Sequence, residues 1–258
     1  MNPNGDHKVL AIMQARMSST RLPGKVLKEV SGMPLLAYEI ARLARSTTID
    51  KLVVATTVEP EDAAIVELCG KLGIDSFRGS LEDVLSRYVE CAKLYPEYDV
   101  IVRVTGDCPL IDPKVVDKVV TFFKDGKFDY VSNVPSGKET YPDGMDTEVF
   151  SRGALMAAGK GATLKSEHEH VTPFIRNHPE FRQGEVVADA NHSSYRLTVD
   201  NPEDFEVVSY LIEHADNSAG YLEYIAMLDK HPEVREKNTK IARNEGLATS
   251  LKNDATIN

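Results

Sequence analysis

The feature that most constrains the fold is an alternation of short apolar runs with helical patterns through the first 125 residues. Each apolar run is too short for a helix and leads into a polar stretch, which is typical of a buried parallel strand followed by a loop. The predicted strands are 9–14, 51–56, 74–77 and 99–104, and the predicted helices are 34–44, about 59–72 and 81–94. This order predicts an α/β fold, a mainly parallel sheet with helices on both faces.

The pattern changes near residue 129. Residues 133–144 are rich in Pro, Gly, Ser and charge, and the strands after them are shorter, so we predict a small inserted subdomain over about 129–194. A strand at 195–199 (YRLTV) and a helix at 203–214 follow it, and the chain ends in a polar C-terminal tail from about residue 233. With 258 residues, 42% of them hydrophobic, we expect a single domain, 1–258.

Composition and charge exclude several classes of function. The chain has 30 Lys+Arg against 40 Asp+Glu, and a net charge of −10 argues against binding nucleic acid or an anionic membrane through the overall field. No apolar run approaches the ~20 residues of a membrane span, and the opening MNPNGDHK differs from a signal peptide, so we expect a cytoplasmic protein without membrane insertion. Cys69, Cys91 and Cys108 form no CxxC pair and are expected to be reduced, buried thiols.

The loop after the first strand, QARMSSTRLPGKVL, is a local basic cluster in this acidic chain. Arg16, Arg21 and Lys25 lie within ten residues, among small hydroxyl residues. Ligands of doubly wound sheets bind at the carboxyl ends of the strands, where small residues let backbone amides approach phosphates. The loop therefore predicts an anion site, and the alternative is a solvated basic loop. Neither GxxxxGK[ST] nor GxGxxG is present.

Two aspartates follow predicted strands. Asp107 comes after the strand 99–104 in RVTGDCPLID, and Asp200 follows the strand 195–199 in LTVDNPEDFE. Magnesium in proteins typically takes one or two carboxylates together with substrate phosphates and water, so the pair predicts a metal site. Asp200 has a second interpretation, because Asp before Asn-Pro is also a common helix cap.

Six segments together resemble a known family. They are QARMSSTRLPGK, GDCPLID, YPDGMDTEVF, EHEHVTPFI, LTVDNPEDFE and NEGLATSL, and the resemblance covers about residues 8–252. The chain is similar to the SpsF-type cytidylyltransferases of spore coat polysaccharide biosynthesis and, more distantly, to CMP-sialic acid and CMP-Kdo synthetases. This resemblance implies a Rossmann-like sheet of the GT-A type and a homodimer. It also implies a transferase of surface polysaccharide or glycoconjugate biosynthesis that uses CTP and Mg²⁺ or Mn²⁺, moves CMP to an acidic or phosphorylated sugar-like acceptor and releases pyrophosphate.

The resemblance also assigns residues to roles. It implies catalytic roles for Arg16, Lys25 and Asp107, metal ligation by Asp107 and Asp200, and nucleotide contacts from a larger set: Gln14, Ala15, Arg16, Ser18, Arg21, Lys25, Arg78, Ser80 and Thr105. The stretch RGSLEDVLSRY is the one expected near the base. It carries Ser86 where the family motif commonly has Asp, although Asp83 and Arg87 are retained.

The acceptor is expected on the other side of the site, against residues of the insert. The candidate residues are Asp143, Gly144, Asp146, Glu169 and His170. An alternative is that Glu169 and His170 pair structurally at a helix start. Metal binding by His168 and His170 is disfavoured, because residues two apart point to different sides of a helix. Two other functions stay open: a nucleotidyltransferase that uses another NTP, and a nucleotide-binding protein without turnover.

Overall fold

The computed structural model describes residues 7–135, 137–243, 250, 252 and 254–256. The strands are β1 (Val9–Gln14), β2 (Glu29–Val30), β3 (Met33–Pro34), β4 (Lys51–Thr57), β5 (Asp75–Gly79), β6 (Val100–Thr105), β7 (Tyr130–Ser132), β8 (Glu148–Ser151) and β9 (Gln183–Glu185). The α-helices are α1 (Leu35–Leu43), α2 (Ala63–Leu72), α3 (Val84–Lys93), α4 (Pro113–Gly126), α5 (Arg152–Gly161), α6 (Lys165–His170), α7 (Pro173–Asn177), α8 (Pro202–His214), α9 (Tyr221–Lys230) and α10 (Pro232–Arg235).

Seven strands form the central sheet, in the order β5-β4-β1-β6-β8-β7-β9. The strands β1, β4, β5 and β6 are parallel, whereas β8 pairs antiparallel with both β6 and β7. The predicted strand 9–14 is observed as β1, and the other three early strands lie within two residues of their predicted bounds. The predicted α/β fold with a mainly parallel sheet is confirmed.

Helices cover both faces of the sheet because successive side chains of its central strand point in opposite directions. Val9, Ala11 and Met13 of β1 belong to a core that includes residues of α1, α4 and α8. Leu10 and Ile12 belong to a second core, which includes residues of α3 and α5. All five side chains are fully buried, so β1 lies at the centre of the molecule.

The region 129–194 contributes strands to this central sheet. Within it, β7, β8 and β9 extend the sheet beyond β6, and α5, α6 and α7 lie between β8 and β9 in the chain. Its strands therefore share a sheet with β1 and β6. That the region forms an inserted subdomain, and that 1–258 is one domain, stay predictions.

The predicted strand at 195–199 is wrong. Residues 195–199 contain no strand, and the only pairing described for them is an isolated bridge between Arg196 and Asp143. Leu197 donates its amide to the Asp143 carbonyl (2.7 Å), and Val199 donates to the Asp107 carbonyl (2.9 Å). The segment 195–199 lies beside loops rather than beside a strand, so no regular ladder of backbone hydrogen bonds can form. The predicted helix at 203–214 is observed as α8.

Two further expectations concern burial and membranes. All three cysteines are buried, as predicted. Across the described part of the chain, no helix has the length and apolar character needed to cross a membrane.

Candidate active site

Two loops begin side by side at the carboxyl edge of the sheet. Gln14 at the end of β1 is in register with Thr105 at the end of β6, and Gly106 donates its amide to the Gln14 carbonyl at 2.8 Å. A side chain at Gly106 would place its Cβ 2.9 Å from the Cβ of Ala15 and 3.0 Å from Leu36. Glycine at this position therefore lets the two loops approach each other.

The β1 loop folds back and buries Lys25. Its entry is fixed by Asp62, whose carboxylate accepts the Met17 amide at 2.6 Å. The turn closes at Gly24, which has a φ of 67° and donates to the Met17 carbonyl at 3.0 Å. Lys25 is 8% exposed and Arg16 is exposed, so the loop is not simply a solvated basic segment.

Lys25 lies between the two predicted metal ligands. Its Nζ is 2.8 Å from Oδ2 of Asp107 and 2.8 Å from Oδ1 of Asp200, so these two oxygens are at most 5.6 Å apart. The segment before Asp200 is held against the β6 loop, because Thr198 Oγ1 and the Val199 amide both donate to the Asp107 carbonyl. The two aspartates therefore converge through this loop contact, and not at the ends of two paired strands.

Asp200 does not cap α8. The N-cap of α8 is Asn201, and the carboxylate of Asp204 accepts the amides of Asp200 and Asn201, each at 3.0 Å. The Asp200 side chain instead pairs with Lys25, with Arg21 at 2.8 Å and with Arg196 at 2.7 Å. This excludes the helix-cap interpretation of its carboxylate.

The charges of this cluster stabilise one another. Burial has the largest single effect on the pKa of Asp107 and would raise it, but the charge and hydrogen bond of Lys25, with hydrogen bonds from Thr105 and Cys108, together lower the pKa to about 2. Burial would lower the pKa of Lys25, but Asp107 and Asp200 outweigh that effect and raise it. At neutral pH the cluster is therefore a charged ion pair rather than a neutral hydrogen-bonded group.

The carboxylate pair fits a divalent metal that is completed by substrate. Carboxylate oxygens are hard ligands of the kind Mg²⁺ prefers, and the ammonium of Lys25 shows that a cation fits between them. No group of three or more His, Cys, Asp or Glu side chains that could hold a metal ion exists among the described residues. Asp107 and Asp200 would therefore supply only part of the coordination, and substrate phosphates and water would supply the rest.

A cavity of about 510 Å³, here called the basic-loop cavity, opens over the β1 loop. Of the residues predicted to contact nucleotide or metal, those that line it are Gln14, Ala15, Arg16, Ser18, Arg21, Lys25, Thr105, Asp107 and Asp200. Arg87 and Lys165 also line it, together with Glu169 and His170. The cavity thus has cations on several sides and the carboxylate pair at one end.

A second cavity of about 270 Å³, here called the acidic-loop cavity, adjoins the first. Asp143, Asp146 and Glu148 line it. Five residues line both cavities: Arg21, Thr105, Asp107, His170 and Asp200. The two cavities therefore meet at the carboxylate pair, which is an arrangement suited to bringing two substrates together.

Asp143, Asp146 and Glu148 of the acidic-loop cavity each pair with an arginine. Asp143 pairs with Arg196 at 2.5 Å, and Glu148 pairs with Arg103 at 2.5 Å. Arg243 donates to Asp146, whose pKa is nevertheless raised to about 7, mainly by burial. These acids therefore form a fixed polar wall.

Arg176 at this cavity is the exception. It is half-buried on α7 and lines the acidic-loop cavity, yet its guanidinium makes no hydrogen bond or ion pair with any residue in the described part of the chain. Sequence reasoning missed it, although it directly follows the segment EHEHVTPFI that carries the family resemblance.

Three predicted site residues lie outside both cavities. Arg78 donates from Nε to the Thr57 carbonyl (2.9 Å) and from Nη2 to the Glu59 carbonyl (2.8 Å), so its guanidinium is bound to the β4 loop. Ser80 Oγ accepts the Asp83 amide at 3.0 Å. The stretch RGSLEDVLSRY instead presents Leu81, Glu82, Val84 and Arg87 to the basic-loop cavity.

Gly144 is the third predicted site residue that lies outside both cavities. Its φ is +101°, and an added Cβ would lie 2.7 Å from the backbone of Leu197 and Thr198. Its role is to let the loop around Asp143 pack against the extended segment before Asp200, rather than to contact a ligand through a side chain.

The two histidines of α6 have different surroundings. His170 is the last residue of α6 and lines both cavities, and burial lowers its pKa. Glu169 is the residue before it, so both lie at the end of α6 and not, as the alternative interpretation had it, at a helix start. His168 pairs with Asp83 at 3.0 Å on the side of α3.

Of the late segment NEGLATSL, only Ser250 lies within the described residues.

Comparison with known proteins identifies the family. A family model described as Cytidylyltransferase matches residues 10–245. The spore coat polysaccharide biosynthesis protein SpsF of Bacillus subtilis is 34% identical over 240 residues, which cover 88% of this chain and 96% of that protein. A cytidylyltransferase structure from Leptospira borgpetersenii matches with a TM-score of 0.84 and 34% identity, covering 92% of this chain and 100% of that one.

A more distant structure shows the same fold. It is CMP:2-keto-3-deoxy-manno-octonic acid synthetase complexed with CTP, which matches with a TM-score of 0.61 and 19% identity, covering 80% of this chain and 98% of that one. Since the family model spans most of the sequence and SpsF matches it nearly end to end, the chain belongs to the cytidylyltransferase family.

Proposed function

We propose that this enzyme transfers CMP from CTP to an acidic or phosphorylated sugar-like acceptor and releases pyrophosphate, with Mg²⁺ or Mn²⁺ bound at Asp107 and Asp200. One observation carries the proposal: two cavities of different character meet at Asp107, Asp200 and His170. A group transfer needs two substrates held with their reacting atoms in contact, and this junction is where that contact would occur.

The basic-loop cavity suits the triphosphate of CTP. Arg16 and Lys25 are cations at the carboxyl edge of the sheet, and Gln14 and Ala15 start the loop that surrounds the cavity. The fold is shared with a synthetase solved with CTP, which supports placing the nucleotide here. Lys25 would exchange its bonds to the carboxylates for bonds to phosphate, which keeps its charge compensated.

Asp107 and Asp200 would hold the metal. When bound, a divalent ion supplies positive charge to the phosphate oxygens, where negative charge grows during the transfer. The acceptor oxygen attacks the α-phosphorus, a new phosphorus–oxygen bond forms, and the bond to the pyrophosphate oxygen breaks. Arg16, Arg21 and Lys25 stabilise the departing pyrophosphate electrostatically, and no covalent enzyme intermediate is required.

The acidic-loop cavity suits a polar acceptor with a negative charge. Asp143, Asp146 and Glu148 are already compensated by arginines and can accept hydrogen bonds from hydroxyl groups. The guanidinium of Arg176 makes no hydrogen bond or ion pair with a described residue, so it is available for a carboxylate or a phosphate. The relation to SpsF favours a place in surface polysaccharide or glycoconjugate biosynthesis.

The proposal is tested by measuring pyrophosphate release from CTP, ATP, GTP and UTP with Mg²⁺ and a panel of ulosonic acids and sugar phosphates. We expect release with CTP and one class of acceptor, and loss of release when the metal is chelated. Tighter binding of a purine triphosphate than of CTP would favour another NTP, and CTP binding without release for any acceptor would favour a protein without turnover. The predicted homodimer is tested separately by light scattering.

A further inference from the structure

Helix α6 lacks the usual means of attachment to a protein core. Its six residues, KSEHEH, include no apolar side chain. A helix this short is unstable on its own in water, and surface helices are ordinarily held by an apolar face. Nevertheless α6 carries Lys165, Glu169 and His170 to the lining of the basic-loop cavity. Polar contacts must therefore fix its position.

Several of these contacts come from residues 250 and 254–256. The carboxylate of Asp254 accepts two hydrogen bonds from Ser166, from the amide at 2.9 Å and from Oγ at 2.6 Å, across 88 positions of sequence. The carbonyl of Ala255 accepts the amide of Lys165 at 2.8 Å. With these acceptors in place Ser166 is 1% exposed, so its polar groups are satisfied by the C-terminal residues rather than by bulk water.

Two further contacts extend this attachment along the helix. Thr256 forms an isolated antiparallel bridge with Leu164, immediately before α6. Ser250 Oγ donates to the carboxylate of Glu169 at 2.9 Å, near the other end. Residues 250 and 254–256, here called the C-terminal clasp, therefore contact α6 at both ends. On its other side, α6 pairs with α3 through His168 and Asp83 at 3.0 Å.

We propose that the C-terminal clasp positions α6, and through it the side chains of Lys165, Glu169 and His170 that face the nucleotide. The identity of that ligand rests on the proposed function, whereas the attachment of α6 does not. Asp254 is in this view a positioning residue, because it contacts Ser166 and lines neither cavity. A polar segment outside the sheet thus supports the candidate active site without lining it.

The attachment is tested by hydrogen exchange of the whole protein without ligand. In Asp254→Ala, the amides of residues 163–170 should exchange about tenfold faster, because Ser166 loses both of its acceptors. Asp254→Asn keeps one acceptor oxygen and should restore part of the protection. The matched control is Asp216→Ala, since Asp216 receives the same two bonds from Ser218, at 2.7 and 2.5 Å, on the loop between α8 and α9. It should leave residues 163–170 unchanged.

The consequence for the site is tested with CTP and Mg²⁺. We expect Asp254→Ala to raise the KM for CTP about tenfold with a much smaller change in kcat, and Asp254→Asn to raise it less. Unchanged exchange at 163–170 in Asp254→Ala would overturn the attachment, and a KM equal to that of the Asp216→Ala control would overturn the positioning role. If the wild-type protein does not bind CTP, the proposed function fails, and the exchange experiment still decides whether the clasp holds α6.

Discussion

At the scale of single residues, the site shows that similar cations of one loop have different roles in the folded protein. Lys25 is buried between Asp107 and Asp200, whereas Arg16 is exposed at the rim of the same cavity. A buried ion that loses its partner is costly, but an exposed cation facing a cavity contributes little to folding. From the sequence, both cations are expected to bind ligand rather than to support the fold. The structure shows that Lys25 also belongs to a buried ion-pair cluster, whereas Arg16 is exposed.

The first prediction compares Arg16→Ala with Lys25→Met. Both should lower the rate of pyrophosphate release about tenfold or more, because each removes a charge that faces the triphosphate. Arg16→Ala should leave thermal unfolding nearly unchanged, whereas Lys25→Met should destabilise the protein by about 2 kcal/mol, since it leaves two carboxylates with less compensation. Calorimetric unfolding and the release assay measure both effects. Wild-type release from Arg16→Ala would contradict its assigned role.

The second prediction concerns acid stability. The pKa of Asp107 is lowered from 3.8 to about 2 in the folded protein, because the charge and hydrogen bond of Lys25, with hydrogen bonds from Thr105 and Cys108, together exceed the raising effect of burial. A carboxyl whose pKa falls on folding stabilises the protein above its unfolded pKa, and this contribution is lost as the pH falls through the folded pKa. The difference in unfolding free energy between wild type and Lys25→Met should therefore shrink between pH 4 and about 2. Urea titrations at several pH values measure it, and a constant difference would show that the ion pair is not its source.

At the scale of elements, the close approach of the β1 and β6 loops creates the site. Gly106 permits that approach, because any Cβ there meets Ala15, Leu36 and the Gln14 carbonyl. Packed backbone segments cannot yield by several tenths of an ångström without moving the residues attached to them. The position of Asp107 therefore depends on a residue with no side chain.

The third prediction follows from this contact. Gly106→Ala should destabilise the protein by about 1–3 kcal/mol and lower the rate of pyrophosphate release about tenfold or more, because overpacking displaces the Asp107 loop. The matched control is Gly70→Ala in α2, where an added Cβ meets nothing within 4 Å. Alanine there should be neutral or slightly stabilising. Equal behaviour of the two variants in unfolding and activity would exclude the steric argument.

At the scale of the whole molecule, the two cavities would each hold one of the two proposed substrates. Arg16 lines only the basic-loop cavity, and Arg176 lines only the acidic-loop cavity. Different elements carry the two arginines. Arg16 follows the central strand β1, whereas Arg176 lies on α7, after β8 in the chain. Each cavity can therefore be altered without direct change to the other.

The fourth prediction uses this separation. Arg176→Ala should leave the affinity for CTP within about twofold of wild type and raise the KM for the acceptor about tenfold or more, because a charge-assisted bidentate contact is lost. Arg16→Ala should show the opposite pattern. Arg182→Ala is the control, since that exposed guanidinium stacks on Phe128 and lines neither cavity. Loss of CTP affinity in Arg176→Ala would mean that the two cavities do not bind separate substrates.

The amino-acid pattern was enough to predict the elements that depend on neighbouring residues. Apolar runs such as Val9–Gln14 identify buried strands, and the order of strands and helices identifies the α/β sheet, because both follow from the periodicity of neighbouring residues. The basic loop and Asp107 were found for the same reason, since a loop that follows a parallel strand must start at the carboxyl edge.

How distant segments complete the site became visible in the folded protein and not in the amino-acid pattern. Asp200 reaches Asp107 through loop contacts, and Asp254 holds Ser166 across 88 positions. Within the part of the chain that the structure describes, the Arg176 guanidinium makes no hydrogen bond or ion pair at the acidic-loop cavity. Contacts of this kind depend on where unrelated segments pack, and no spacing along the chain records them. Arg78 is the opposite case. Its place in a motif predicted that it contacts the nucleotide, but in the folded protein its guanidinium donates to the carbonyls of Thr57 and Glu59.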